Sequence, residues 1–300
     1  MSNAIIFIGS VRSSEIVLKR LIENGLTPEK IFSLKDEYSA NVSGYRDLSL
    51  VAKDNDLDYV DFKNINENNN IQLIQETEAD YIFVIGLSQL VSPEIINAAK
   101  KGVIGYHPTA LPKFRGRAAI PWQIILGVEE SKCSLFYIDE GTDTGEVIDQ
   151  ERYFIHEDDY AEDVEKSSDH ALGKMMERVI PEIKEDTLTS WVQNEDEATY
   201  LLKRVPEDGR IDWSQSVKEI YKLIRATSKP YPGAFSYYKD RRIIFWRAEV
   251  HENTKYYGIA GQIIQSDQYS IDIFCRDGIL RVTEYEIESE TSFTDGNKFM

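Results

Sequence analysis

Short runs of β-branched and aromatic residues alternate with stretches of helical spacing through the first half of the chain, and nothing else in it constrains the fold as strongly. Strands separated by helix-length segments pair in parallel, because the crossover helix returns the chain to the same edge. Strands are expected at residues 4–9, 30–34, 58–62, 80–86, 102–106 and 133–139, and helices at 13–24, 71–77, 93–100 and 118–126. Ser92 and Pro93 supply an N-cap and a first-turn proline for the third helix. The expected class is α/β, with a doubly wound, mostly parallel, Rossmann-like sheet. Such sheets bind ligands outside the carboxyl ends of their strands. By that rule residues 9–12, residues 86–90, His107 and the loop after Asp139 converge on one rim.

At 300 residues a second, smaller domain is expected. After a helical stretch at 160–184, residues 188–204 are polar and mixed in pattern, as in a linker. A helix at 216–227, the turn Pro230-Tyr231-Pro232-Gly233 and short strands near 242–246, 258–265, 270–274 and 279–284 follow. That spacing suggests a small OB-like β-barrel. The division expected is 1–187, a linker at 188–206, and 207–300.

No apolar run is long enough to span a bilayer, so no membrane partner is expected. The first apolar run is strand-sized and has no basic residue before it, unlike a signal peptide. Cys133 and Cys275 each sit in an apolar segment, which suits buried thiols in a reducing compartment and points to the cytoplasm. The four histidines are widely separated and lack paired cysteines, so no metal is expected. The formal charge of -18 disfavours nucleic acid and favours a small substrate. Gly9 alone makes no dinucleotide fingerprint, so NAD is not expected.

The chemistry is concentrated in Gly105-Tyr106-His107-Pro108-Thr109-Ala110-Leu111-Pro112-Lys113-Phe114-Arg115-Gly116-Arg117 and in Asp139-Glu140-Gly141-Thr142-Asp143-Thr144-Gly145. A histidine leaving a strand end can face an aspartate beyond the next strand, here 36 positions later. These two motifs resemble the folate-dependent formyltransferases. Pro206-Glu207-Asp208-Gly209, Ile211-Asp212-Trp213, Ile224-Arg225-Ala226 and Pro230-Tyr231-Pro232-Gly233-Ala234-Phe235 resemble the C-terminal module of methionyl-tRNA and some sugar-nucleotide formyltransferases. The nearest likeness is to the 4-amino-arabinose formyltransferase domain, and the resemblance spans essentially the whole chain.

The resemblance implies transfer of a formyl group from 10-formyltetrahydrofolate to the amine of a nucleotide-linked amino sugar, as in surface polysaccharide biosynthesis. His107 would stabilise the developing oxyanion and relay a proton, while Asp143 would orient the ring and receive the amine proton. The pterin would lie against Gly86, Leu87, Ser88, Gln89 and Leu90 and the backbone of Ile138, Asp139, Glu140 and Gly141. Arg12, Arg115, Arg117, Lys203 and Arg204 are the cations expected to meet substrate phosphates. The family's tight turn implies a cis Leu111-Pro112 bond. Trp213, Tyr231 and Phe235 would form an aromatic wall or be buried between domains. The chain departs from the family at Gly105, where the pattern has asparagine. Losing such an oxyanion donor costs about a hundredfold or more in rate, and Gln89, Ser88, a backbone amide or a water is the expected replacement. Two alternatives stay open: methionyl-tRNA formylation, and a non-catalytic folate or nucleotide binder. A homodimer is compatible with the C-terminal module.

Overall fold

The computed structural model describes residues 3–253, 255–287 and 292–300. The chain divides into two compact units, one of Met1–Ala119, Glu130–Phe154 and Lys166–Leu201, the other of Ile120–Glu129, Ile155–Glu165 and Leu202–Met300. Two stretches from within the expected first domain, 120–129 and 155–165, thus group with the carboxyl-terminal module. The expected linker splits, with 188–201 joining the first unit and 202–206 the second.

The first unit holds, in chain order, β1 (Ile5–Gly9), α1 (Arg12–Glu23), β2 (Lys30–Leu34), α2 (Ser49–Asp54), β3 (Tyr59–Phe62), α3 (Asn68–Glu76), β4 (Tyr81–Ile85), α4 (Pro93–Ile96), β5 (Gly102–His107) and β6 (Arg115–Gly116). Past α5 (Ala119–Leu126), which groups with the second unit from Ile120 on, come β7 (Glu130–Tyr137), β8 (Val147–Phe154), α6 (Ala161–Glu185), whose residues 161–165 also group with the second unit, and β9 (Tyr200–Leu201). The main sheet has the order β3-β2-β1-β4-β5-β7-β8. Its first five strands are parallel, and β7 and β8 add antiparallel. Every residue of β1 and β4 is buried, as expected for central parallel strands covered on both faces. Helix α1 buries Ser14, Val17, Leu18 and Leu21, one face at the spacing of a helical stripe.

Several elements differ from the sequence reading, among them β6, β9 and the later strand Ala234–Tyr238, which it lacks, and the strand expected over 258–265, which begins at Ile263. The helix expected over 93–100 stops at Ile96. The six-residue α2, with only Val51 and Ala52 buried, is too short to show periodicity. Strand β8 carries Asp149, Gln150, Glu151 and Arg152, which hid it, and it lies at the sheet's edge, where polar residues are tolerated.

The second unit holds α7 (Val217–Thr227), β10 (Ala234–Tyr238), β11 (Arg241–His251), β12 (Ile263–Ser266), β13 (Ile271–Cys275) and β14 (Gly278–Ile287), with α7 packed on β10, β11 and β14. A capping box between Ser216 and Glu219 starts α7. The antiparallel order is β10-β11-β14-β13-β12. The expected barrel takes the form of this five-stranded sheet with its outer strands bridged by the chain's last residues. Asn297 O accepts from Ile263 N at 2.7 Å, Phe299 N donates to Gly261 O at 2.9 Å, and Met300 N donates to Tyr237 O at 2.8 Å. Phe299 is 2% exposed and packs on Trp213, Tyr238 and Phe245. Trp213 is thus a core residue of this unit, with its indole N–H on Ser236 Oγ. Phe235 is also buried, and the Tyr231 hydroxyl lies 2.9 Å from Glu165. Truncating a buried phenylalanine costs about 3–5 kcal/mol, so Phe299→Ala should lower the unfolding free energy of this unit by about that amount in urea denaturation.

Candidate active site

The site forms where the strand order reverses. Strands β1 and β4 lie side by side with their connections leaving in opposite directions, which opens a crevice at their carboxyl ends. Ser14 ties the two ends together. Its hydroxyl donates to Ile85 O at 2.6 Å and accepts from the backbone N–H groups of Ser10 and Val11, each at 3.0 Å. Gly86, at φ +62°, then turns the chain beside Val11 where a Cβ has no room.

A cavity of about 420 Å³ lies next to this turn. Val84, Gly105, Phe136 and Ile138 line it from the strands, and two loops enclose it. One loop contributes Gly86, Leu87, Gln89 and Leu90, and the other Asp139, Glu140, Gly141, Thr142 and Asp143. Of the nine residues expected to hold a pterin, only Ser88 is not part of the lining. The structure therefore brings those two segments together.

His107 ends β5 and is 6% exposed. Its Nε2 lies 2.7 Å from Phe114 O. A carbonyl only accepts, so Nε2 carries a proton and Nδ1 is left to exchange one. Nδ1 faces Asp143 Oδ2 at 3.9 Å, too far for a direct hydrogen bond. An atom inserted between them could sit about 2.8 Å from each, ordinary hydrogen-bond distance. Asp143 has φ +54°, and its Oδ2 accepts from Gly116 N at 2.7 Å. Asp139 Oδ1 organises the same loop, accepting from Gly141 N at 3.0 Å and from the Thr144 hydroxyl at 2.6 Å. Leu111-Pro112 is cis.

The space expected for an asparagine side chain is filled. A Cβ built on Gly105 would meet Ile138 Cγ1 at 2.8 Å and Phe136 Cε1 at 3.1 Å. Gln89 is anchored to the 63–65 backbone, its Oε1 accepting from Ile65 N at 2.9 Å and one N–H of its Nε2 donating to Lys63 O at 2.8 Å, which leaves the second N–H of that amide outside these two bonds. Ser88 offers its carbonyl to Arg117 Nη2 at 3.0 Å.

The expected phosphate-binding cations behave differently from one another. Arg115 points inward and is 0% exposed. Its Nε and Nη2 donate to Gln193 Oε1 at 3.2 and 2.8 Å, both terminal nitrogens donate to Glu195 at 2.8 and 2.6 Å, and Nη1 also donates to the Tyr200 hydroxyl at 3.0 Å. All five N–H groups are used, so Arg115 is a structural cation with no donor left for a phosphate. Arg117 is exposed, and its Nη2 donates to Ser88 O. Arg12 Nε pairs with Asp169 Oδ2 at 2.8 Å. Lys203 and Arg204 belong to the second unit, where Arg204 lies 5.0 Å from the Trp122 ring centroid and donates to Asp208 O. Sequence reasoning missed Gln193, a polar residue in a polar stretch that gives no local signal.

Among the described residues, no group of three or more His, Cys, Asp or Glu side chains could hold a metal ion, and no helix is long and apolar enough to cross a membrane. Burial pushes the Cys133 and Cys275 thiols up to about 12, so both stay protonated at neutral pH.

Comparison with known proteins defines the class. Residues 5–180 match the formyl transferase family model, and residues 203–296 match the formyl transferase C-terminal domain. The chain belongs to the formyl transferase family. Among solved structures, HypX from Aquifex aeolicus with tetrahydrofolic acid is 16% identical at TM-score 0.69, over 96% of this chain and 45% of that one. This chain thus spans less than half of HypX. An N-formyltransferase from Helicobacter canadensis, in complex with folinic acid and dTDP-3-aminofucose, is 17% identical at TM-score 0.65, over 95% of this chain and 100% of that one. Methionyl-tRNA formyltransferase from Clostridium thermocellum is 22% identical at TM-score 0.60, over 92% of this chain and 100% of that one.

Two predictions follow from local packing and charge. Gly105→Asn should destabilise the first unit by about 1–3 kcal/mol through overpacking, and Gly105→Asn combined with Ile138→Ala should recover part of that loss, as read by denaturant unfolding. Burial raises the Asp169 carboxyl to about 6 against the opposing pull of Arg12 and Arg46. A carboxyl raised above its unfolded value of about 4 favours the folded state only while protonated. Its contribution is present below pH ~4 and lost as pH rises through ~6, so Asp169→Asn should gain stability relative to wild type across that window in thermal melts.

Proposed function

We propose that the protein transfers a formyl group from 10-formyltetrahydrofolate to the primary amine of a nucleotide-linked amino sugar. The observation that carries this reading is the facing of His107 Nδ1 and Asp143 Oδ2 at 3.9 Å, with Asp143 lining the cavity formed by the 86–90 and 138–143 segments. The cavity fits a pterin in kind. Val84, Phe136, Ile138, Val91 and Ile96 offer apolar contact, and the exposed stretch 139–142 offers main-chain donors and acceptors to a heteroaromatic edge. The donor supplies an activated formyl group. An incoming amine held between His107 and Asp143 would attack the formyl carbon and give up a proton to the carboxylate. His107 protonated at Nδ1 would steady the charge on the formyl oxygen and then pass that proton to the folate nitrogen as its bond to the formyl carbon breaks and tetrahydrofolate leaves.

Support for a sugar nucleotide comes from the Helicobacter canadensis enzyme, whose structure holds folinic acid and dTDP-3-aminofucose and whose whole length this chain covers. The charge of -18 disfavours tRNA, a polyanion that needs a basic surface. In the first unit, Arg12 and the exposed Arg117 remain the groups proposed to meet the diphosphate, and Arg115 is withdrawn from that set.

Incubation with 10-formyltetrahydrofolate and a panel of nucleotide-linked 3-amino and 4-amino sugars, with methionyl-tRNA as comparator, should add one formyl group by mass to a sugar nucleotide. His107→Ala should abolish transfer, and Asp143→Asn should lower turnover by about a hundredfold or more with little change in tetrahydrofolate affinity. Formylated tRNA alone, or full turnover in Asp143→Asn, would overturn the assignment.

A further inference from the structure

The segment between Trp191 and Leu201, which the sequence presents as part of a linker, is bound to the site through the backbone of Asp143 and through the turn 114–116. Trp191 pairs its backbone with Val147 in both directions at 2.9 Å. Gln193 Nε2 donates to the backbone carbonyls of Asp143 at 2.8 Å and Gly145 at 2.6 Å, while Gln193 Oε1 accepts from buried Arg115. Thr199 accepts from both Phe114 and Arg115, through its hydroxyl at 2.8 Å and its carbonyl at 2.9 Å. Strand β9 then pairs in parallel with β6, and Gly116, at φ +108°, approaches the Leu201 carbonyl where a Cβ has no room.

Residues 114 and 116 hold the pair itself, since Phe114 O accepts from His107 and Gly116 N donates to Asp143. We infer that residues 191–201 are a strap that sets the distance between His107 and Asp143, with Gln193 and Arg115 as its positioning residues; this rests on the catalytic reading of the pair given above. Gln193 is the joint. Its amide touches both the buried guanidinium and the backbone of Asp143, a residue with a left-handed φ that needs external support. Gln193 is 5% exposed, while Trp191, Val192 and residues 194–197 are exposed, so the joint is the buried point of a surface strap.

Gln193→Glu keeps the shape and the acceptor for Arg115 but removes the donor to Asp143 O and Gly145 O. Gln193→Asn keeps the amide on a shorter stem that cannot span both partners, and serves if the first variant folds poorly. Both are compared with Asp143→Asn and wild type, using 10-formyltetrahydrofolate and the nucleotide-linked amino sugar that wild type formylates fastest, beginning with dTDP-3-aminofucose. Misplacing reacting groups by a fraction of an ångström to 1 Å costs about tenfold to a hundredfold in rate. The expected result is a kcat about tenfold lower or worse in a Gln193 variant, with KM for the donor, tetrahydrofolate affinity and melting temperature close to wild type. Unchanged kcat in both Gln193 variants, beside a disabled Asp143→Asn, would overturn the strap alone. A fall in kcat that merely tracks lost folded protein would overturn it too. Full activity in Asp143→Asn, or no transfer by wild type to any acceptor, would remove the catalytic reading and the strap with it.

Discussion

A guanidinium taken fully out of water must find a partner for every donor, because an uncompensated buried charge costs several kcal/mol. Arg115 meets that demand with five hydrogen bonds to Gln193, Glu195 and Tyr200, all about 80 residues away in sequence. The consequence is structural as well as energetic. The polar stretch around 193–200 cannot leave the surface of the sheet without stranding the cation, and the turn 114–116 cannot move without the stretch. The backbone atoms that touch His107 and Asp143 belong to that turn.

The cavity beside the pair shows a second constraint. Its floor comes from the carboxyl ends of β4 and β5 and from the end of β7 with the residue that follows it, so its width depends on which side chains those positions carry. Gly105 leaves a gap that Ile138 and Phe136 close. The floor is therefore apolar where the family pattern has an amide, and the Gln89 side chain is anchored to the 63–65 backbone at both ends. On the proposed reading, charge management at the candidate site would rest more heavily on His107, Asp143 and the main chain than the family pattern implies. Buried Cys133 and Cys275, with thiols held protonated, add no nucleophile.

Much of the fold was legible in the sequence. Runs such as Ile5–Gly9 and Tyr81–Ile85 are apolar on both faces because parallel strands are covered on both sides, and Val17, Leu18 and Leu21 mark one stripe of a helix. The two glycine-bearing motifs and their order identified the family and the segments that meet at the rim. Less was legible where pattern was weak: β8 looks polar because it is an edge strand, and α2 is shorter than the window in which periodicity appears.

The sequence by itself determined the alternation of strands and helices, the parallel sheet with its rim, and the pairing of a histidine motif with an aspartate motif, since each depends on local spacing. Only the tertiary structure decided that Arg115 turns inward while Arg117 stays exposed, that Gln193 touches the backbone of Asp143, and that the last residues of the chain bridge β10 and β12. An arginine or glutamine carries no mark of its direction in the sequence. Its orientation follows from which distant donors and acceptors must be satisfied once burial has removed water.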